Sequence, residues 1–158
     1  MEKTLILCFS ATGNTKRVST MMAEILKADR DDILPEVEYT GSDLNWMDKQ
    51  SRTTLEMEDR NCRPAIVHKD YHLSQYGNVI LAFPIWWYRE PSIIDSVLAE
   101  YDFSGINIYL LATSGGSGIE GALKHVKELF PTYHFIAGKR LSPNAGEGEI
   151  MELGRKLK

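Results

Sequence analysis

A short loop near the start of the chain constrains its fold more than any other stretch. The loop is Ser10-Ala11-Thr12-Gly13-Asn14-Thr15, which follows an apolar run at residues 3–9 and precedes an amphipathic stretch at residues 15–28. This order predicts a buried strand, a tight loop and a helix. The backbone N–H groups of such a loop, with the unpaired N–H groups and positive dipole end of the helix behind it, favour binding of a phosphate group.

The spacing within the loop excludes two common phosphate-binding motifs. The P-loop of nucleoside triphosphatases ends in Gly-Lys-Ser/Thr, whereas Gly13 is followed here by Asn14 and Thr15. The dinucleotide-binding fingerprint requires three spaced glycines, and the loop contains only Gly13. The loop has no lysine or arginine, so it would hold phosphate through neutral donors. The alternative is an ordinary polar turn that caps a helix.

Composition limits the class of protein. The 158 residues, 43% hydrophobic and 25% charged, predict one globular domain over 1–158. A formal net charge of −4 argues against nucleic-acid binding, which needs a basic face. Cys8 and Cys62 form no disulfide or metal pattern, which favours a reducing compartment. The apolar run after Met1 is too short for a signal peptide or a membrane helix, so we expect a cytoplasmic protein without membrane insertion.

Apolar strands and amphipathic helices alternate along the chain. The predicted strands are residues 3–9, 32–39, 77–83, 106–112 and 133–137. The predicted helices are residues 15–28, a short one at 71–76, one opening at Pro91, one from about Ile119, and 147–156. This alternation predicts an α/β doubly wound parallel sheet, whose ligands bind beyond the carboxyl ends of the strands. The long polar connection at 40–70 shows only weak periodicity, although Asp48, Ser51 and Arg52 could form a capping or ion-pair cluster.

Two further loops fall at the same predicted edge of the sheet. The first is Pro84-Ile85-Trp86-Trp87-Tyr88, whose aromatic faces suit stacking on a flat ring. Side chains of adjacent residues leaving a strand point in opposite directions, so we expect at most one tryptophan to stack and the other to pack beneath the loop. The second is Thr113-Ser114-Gly115-Gly116-Ser117-Gly118, in which Thr113 and Ser114 can bond a polar chain and the glycines allow close backbone approach.

A ligand that suits all three loops has a phosphate at one end and a flat, mostly apolar ring at the other, and FMN meets this description. The predicted cofactor-binding residues are Ser10, Ala11, Thr12, Gly13, Asn14, Thr15, Pro84, Ile85, Trp86, Trp87, Tyr88, Thr113, Ser114, Gly115, Gly116 and Gly118. We predict no catalytic acid or base and no metal site. His125 and His134 are expected at the surface, and a flavin contact from the region of Trp46 is left open.

At these loops the chain resembles the flavodoxin family. It is most similar to short flavodoxin-like proteins with Pro-Ile-Trp-Trp in the second loop and Thr-Ser-Gly-Gly-Ser-Gly in the third. The resemblance runs from the first strand to Gly138-Lys139-Arg140-Leu141. It implies a three-layer fold around a five-stranded sheet of order 2-1-3-4-5, noncovalent FMN, and electron transfer with redox partner proteins.

Two departures from the flavodoxin pattern keep a second function open. Tyr88-Arg89 stands where flavodoxins commonly have a small residue beside the flavin. The third loop also lacks the aromatic residue that covers the outer flavin face in many flavodoxins. A more open face would suit an NAD(P)H-dependent flavin or quinone reductase, so we carry an electron carrier and a reductase as alternatives. A weaker third alternative is an interaction module that no longer binds flavin.

Two other classes of protein with related loops are excluded. A receiver domain needs acidic residues at the ends of its first and third strands, where this chain has Cys8-Phe9 and Ala82-Phe83. A low-molecular-weight tyrosine phosphatase needs an arginine six residues after its cysteine, and that position holds Asn14.

Overall fold

Residues 3–157, which the computed structural model describes, contain a parallel sheet of five strands. The strands are β1 (Thr4–Cys8), β2 (Asp29–Asp32), β3 (Asn78–Pro84), β4 (Asn107–Thr113) and β5 (His134–Leu141). Their order in the sheet is β2-β1-β3-β4-β5, and every neighbouring pair is parallel. The predicted fold class and strand order are therefore confirmed.

The described residues contain five helices, four of which cover the two faces of the sheet. They are α1 (Asn14–Leu26), α2 (Arg52–Glu58), α3 (Ser92–Glu100), α4 (Glu120–Leu129) and α5 (Glu147–Leu157). Helices α1 and α5 share one apolar core with the sheet, and α3 and α4 belong to the core on the other face. A single 3-10 turn, Leu73–Gln75, stands where a short helix was predicted. No helix within residues 3–157 is long and apolar enough to cross a membrane.

The central strand β1 explains why its sequence is apolar without alternation. Leu5 and Leu7 belong to the core beneath α3 and α4, whereas Ile6 and Cys8 belong to the core beneath α1 and α5. All four side chains are buried. A strand covered on both faces needs apolar residues at every position, which is why this strand was predictable.

The prediction of a strand at residues 32–39 was wrong. The second strand is β2, Asp29–Asp32, whose sequence Asp-Arg-Asp-Asp carries no apolar signal because it forms a partly exposed edge of the sheet. The apolar residues that follow, beginning with buried Ile33, lie beyond the strand. There, Pro35 forms only an isolated antiparallel bridge with Ile66. Proline lacks the N–H group that a continued ladder requires.

The long connection between β2 and β3 is ordered by local hydrogen bonds. Ser51 caps α2 by accepting a hydrogen bond from the backbone N–H of Thr54 at 3.4 Å. Arg52 forms an ion pair with Glu56 one turn later, with Nε 3.1 Å from Oε2. Ser51 thus has the predicted capping role, whereas Arg52 pairs with Glu56 and not with Asp48, whose carbonyl accepts hydrogen bonds from the Ser51 N–H and from Thr54 Oγ.

Candidate functional site

Three loops meet where β1, β3 and β4 end, because these strands are neighbours in the sheet. The second and third loops are joined by a hydrogen bond from the Ile85 N–H to the Thr113 carbonyl, at 3.0 Å. The first and third are joined by the hydroxyl groups of Thr15 and Thr113, whose oxygens lie 2.7 Å apart. Hydrogen bonds therefore join the three loops at the edge of the sheet where the fold was expected to bring them together.

The first loop turns sharply into α1. Ser10 Oγ accepts a hydrogen bond from the Gly13 N–H at 3.0 Å, and Gly13 has a left-handed backbone with φ of 95°. Within the described residues no side chain caps the start of α1. Its first N–H groups, which have no partner inside the helix, thus point out of the loop beside the exposed residues Thr12 and Asn14.

Arg140, on β5, holds the start of the third loop. The Ser114 carbonyl accepts hydrogen bonds from Nε and Nη2 of Arg140 at 3.0 and 2.7 Å. Ser114 Oγ accepts a hydrogen bond from the Gly116 N–H at 3.1 Å. Gly115 and Gly116 are exposed and have open space where a side chain would project. Thr113 is buried, and its hydroxyl is engaged with Thr15 and links α1 to the third loop.

The two adjacent tryptophans have different environments. Trp86 packs edge-on against Phe9 and Tyr39, with ring centroids 5.5 and 5.4 Å apart, so it lies beneath the loop. Trp87 and Tyr88 form the tip of the loop and are 38% and 78% exposed.

The tip of this loop is a tight turn with an uncommon backbone. Two hydrogen bonds join Trp86 and Arg89, from each N–H to the other's carbonyl, at 3.0 and 3.1 Å. The two residues between them, Trp87 and Tyr88, have positive φ angles of 46° and 66°. Residues other than glycine seldom adopt this conformation, because their Cβ meets the backbone. The surrounding structure must therefore hold the turn in place.

A cavity of about 530 Å³ opens between the first and second loops. The predicted residues that line it are Ala11, Thr12 and residues 84–88. The other lining residues were not among the predicted binding residues: Leu44, Trp46, Thr53 and Ser117. The other predicted binding residues lie outside the cavity lining: Ser10, Gly13, Asn14, Thr15, Thr113, Ser114, Gly115, Gly116 and Gly118.

The wall of the cavity that comes from the connection between β2 and β3 is ordered by local hydrogen bonds. Thr53 Oγ donates a hydrogen bond to the Asp43 carbonyl at 2.7 Å, and Thr54 Oγ donates to the Asp48 carbonyl at 2.9 Å. Trp46 lies between these anchors and is 71% exposed. This wall could not be identified by periodicity, because side chain to backbone hydrogen bonds hold it, rather than an apolar stripe.

A buried group of ionisable side chains lies beneath the Trp87–Tyr88 turn. The prediction that His125 is a surface residue was wrong: it is buried, and its Nδ1 lies 2.7 Å from Oε2 of Glu90. His125 follows Ala122 by three residues and therefore lies on the buried face of α4. This spacing could have been recognised in the sequence. The partner of His125, 35 residues away in the sequence, was not predictable.

Burial determines the protonation of this group. It raises the pKa of Glu90 to about 7 and lowers the pKa of His125. Burial, together with a hydrogen bond that protonated Asp95 donates to Glu90, raises the pKa of Asp95 to about 9. Oxygen and nitrogen atoms of the three side chains lie within 4.8 Å of one another, a spacing open to a metal ion. Positive charge is already supplied there by Arg89, 3.6 Å from Asp95, and we assign no cation.

Comparisons with known proteins agree with the observed fold. Residues 3–155 match a family model described as flavodoxin. A flavoprotein candidate from Bacteroides uniformis is 36% identical, with 98% of each chain covered and a TM-score of 0.93. A second flavoprotein candidate, from Bacteroides eggerthii, is 33% identical over 97% of this chain and 96% of that one, with a TM-score of 0.90.

A more distant structure shares the fold. It is a flavoprotein from Lactobacillus acidophilus solved in complex with FMN, with 17% identity, complete coverage of both chains and a TM-score of 0.69. No curated protein matches this chain.

Proposed function

This chain belongs to the flavodoxin family, and on that basis we propose that it binds FMN noncovalently and transfers electrons through it. The observation that carries the proposal is a cavity with aromatic walls beside an uncapped helix start, both at the carboxyl edge of the sheet. In sheets of this type ligands bind at that edge, where the order of strands reverses.

The first loop suits the phosphate group of FMN. The free N–H groups at the start of α1 and the hydroxyl and amide groups of Thr12 and Asn14 are hydrogen-bond donors, and the helix dipole adds positive potential. No carboxylate lies within residues 10–15 to repel a dianion. Neutral donors would therefore hold the phosphate.

The second loop suits the flavin ring. Trp87 and Tyr88 present exposed aromatic faces at the cavity, whereas Trp86 is held beneath them by Phe9 and Tyr39. An apolar cavity with aromatic walls excludes water from one side of a flat ring and fixes its orientation. Bound FMN would supply one- or two-electron transfer, and the chain would supply binding, position and electrostatic environment.

A reductase that takes electrons from NAD(P)H and passes them to a quinone is the second candidate. The observation that favours it is the third loop, residues 113–118, which carries no aromatic side chain and contributes only Ser117 to the cavity. A ring covered on one side leaves its other side accessible to a small reactant. Rapid oxidation of NADPH by a quinone with the purified FMN-loaded protein would support this candidate, and absence of turnover would favour the carrier.

Titration with FMN tests the cofactor proposal directly. The visible spectrum of the protein, and quenching of flavin fluorescence, give binding and its Kd. Asn14→Asp is expected to weaken binding by about tenfold or more, because a carboxylate beside the phosphate adds repulsion. Asn61→Asp adds the same charge at an exposed position outside the three loops and serves as the control. An FMN spectrum unchanged by the wild-type protein would refute the proposal.

A further inference from the structure

Four ionisable side chains are buried together directly beneath the Trp87–Tyr88 turn. Arg89 and Glu90 follow the turn, Asp95 lies in the first turn of α3, and His125 lies on α4. The side chains of Glu90 and Asp95 are completely buried, and that of His125 is 2% exposed. None of the four lines the cavity.

The hydrogen bonding of Asp95 requires a proton. Within the described residues, neither oxygen of Asp95 has an N–H or hydroxyl donor, and Nη1 of Arg89 is 3.6 Å away. An oxygen of the Glu90 carboxyl lies, however, within 4.8 Å of an oxygen of the Asp95 carboxyl, with both side chains completely buried. A buried carboxylate without a donor is strongly unfavourable, whereas a protonated Asp95 can donate to Glu90. A proton between these carboxyls therefore satisfies the pair.

Other contacts complete a chain of bonds across three elements. Glu90 receives the Asp95 proton on one side and faces Nδ1 of His125 on the other, at 2.7 and 3.0 Å from its two oxygens. Arg89 donates through Nη1 to the Glu90 carbonyl at 3.1 Å and through Nη2 to the Met57 carbonyl at 3.0 Å. The chain thus joins the stem of the turn to α3, α4 and the end of α2.

Helix α4, which carries His125, also supports the tip of the turn. The Tyr88 carbonyl packs against Gly121, where a side chain would collide with it. Gly121 and His125 are four residues apart and lie on one face of α4. The strained turn is therefore held at its tip by Gly121 and at its stem by the buried cluster.

We propose that Glu90, Asp95 and His125 are positioning residues of the cofactor site, in which one proton shared by the two carboxyls clamps the Trp87–Tyr88 turn onto α3 and α4. This inference rests on the proposed FMN site for its link to function. Loss of the shared proton leaves two neighbouring buried carboxylates, with Arg89 as the nearest cation, and their repulsion separates the stem of the turn from α3. The turn then presents Trp87 and Tyr88 less well to the ring.

The charges that face Asp95 are those of Glu90, Arg89 and His125. Burial raises the pKa of Asp95, so the proton is lost in the alkaline range. Arg60, after α2, and Glu128, on α4, act on the cluster electrostatically without a hydrogen bond to it. Asp95→Asn is the matched variant, since its amide still donates to Glu90 but cannot ionise.

The test measures two quantities between about pH 6 and about pH 10, in the wild-type protein and in Asp95→Asn. The first is the backbone amide NMR shifts of Trp87, Tyr88 and Gly121 without FMN. The second is the Kd for FMN. In the wild type we expect the three amides to shift along one titration curve and Kd to rise about fivefold or more relative to Asp95→Asn. Ionisation of FMN itself affects both proteins equally and cancels.

Identical pH profiles for the two proteins, in both measurements, would overturn the inference. Asp95→Ala removes the donor and is expected to weaken FMN binding across the whole pH range. If Asp95→Ala does not fold, the comparison of the wild type with Asp95→Asn still tests the inference. If the wild type binds no FMN, the proposed function fails, whereas the amide shifts still report whether the cluster holds the turn.

Discussion

Gly121 leaves room for the backbone of the neighbouring turn. It is the second residue of α4, and a Cβ at this position would collide with the Tyr88 carbonyl. Gly148 is the second residue of α5 and has open space at the corresponding position. The two glycines thus occupy equivalent helix positions and differ in what their missing side chain accommodates.

Alanine substitution should therefore have opposite effects at the two positions. Gly148→Ala is expected to raise the free energy of unfolding by up to about 1 kcal/mol, because alanine loses less backbone entropy in a helix. Gly121→Ala is expected to lower it and to weaken FMN binding, because the new methyl group displaces the turn. Urea unfolding of both variants is the measurement. An equal rise in the free energy of unfolding of both variants would show that the turn can move away from Gly121 without loss of stability.

Asp95 makes stability depend on pH. Burial and Glu90 raise its pKa to about 9 in the folded protein, so above its ordinary pKa the folded state binds more protons than the unfolded state. Stability therefore falls as pH rises, until the folded-state pKa is passed. His125 has the opposite sign, because its pKa is lowered, but it acts below its ordinary pKa. Glu90 has the same sign as Asp95, because its pKa is raised to about 7, so the effect of Asp95 dominates between about pH 7.5 and about pH 8.5.

Urea unfolding at several pH values in this window tests the sign. The wild type should lose up to about 1.4 kcal/mol of stability for each pH unit, the limit for one proton. Asp95→Asn should lose much less, because asparagine does not titrate. Equal slopes would mean that Asp95 is already ionised in the folded protein at neutral pH.

At the scale of elements, burial on both faces decided which strands were predictable. Strands β1, β3 and β4 lie inside the sheet, so their apolar runs show in the sequence. Strand β2 is a polar edge strand and has no such run. The loops at residues 10–15, 84–88 and 113–118 were predictable because their composition is unusual and strand order brings them together. Whether they hold FMN stays a prediction.

The cavity wall from the connection between β2 and β3 was not identified as part of the predicted site. Hydrogen bonds to backbone carbonyls fix it, such as that from Thr53 Oγ to Asp43, and these leave no periodic pattern. The buried cluster beneath the turn was missed for a related reason, since His125 and Glu90 meet only through tertiary packing. Contacts between distant segments cannot be derived from local sequence patterns.

The contribution of this wall to FMN binding can be measured by substituting Trp46. It lines the cavity, whereas its neighbour Met47, 73% exposed, is outside the lining. Trp46→Ala is expected to weaken FMN binding about fivefold to tenfold, because an aromatic contact with the ring is lost. Met47→Ala should have little effect and is the control. Equal Kd values for the two variants would show that the wall does not contact the flavin.

At the scale of the whole molecule, one ligand would connect three separate strand–helix units. The loops after β1, β3 and β4 are joined to one another by few bonds, among them that between Ile85 and Thr113. FMN that contacts all three would add bonds between these units to those that the sheet and the Thr15–Thr113 contact already supply. Binding should therefore stabilise the folded state and protect amides at the carboxyl edge in particular.

Thermal unfolding and amide hydrogen exchange test this final prediction. At an FMN concentration about 100 times the Kd, the gain in stability is about 2.7 kcal/mol, which corresponds to a rise in Tm of roughly 5 to 11 °C for a domain of this size. Increased protection should concentrate in residues 10–15, 84–90 and 113–118. Riboflavin lacks the phosphate group and, at the same concentration, should raise Tm less and leave residues 10–15 unprotected. Equal shifts with FMN and riboflavin would contradict a phosphate-binding role for the first loop, because the ring alone would then account for the stabilisation.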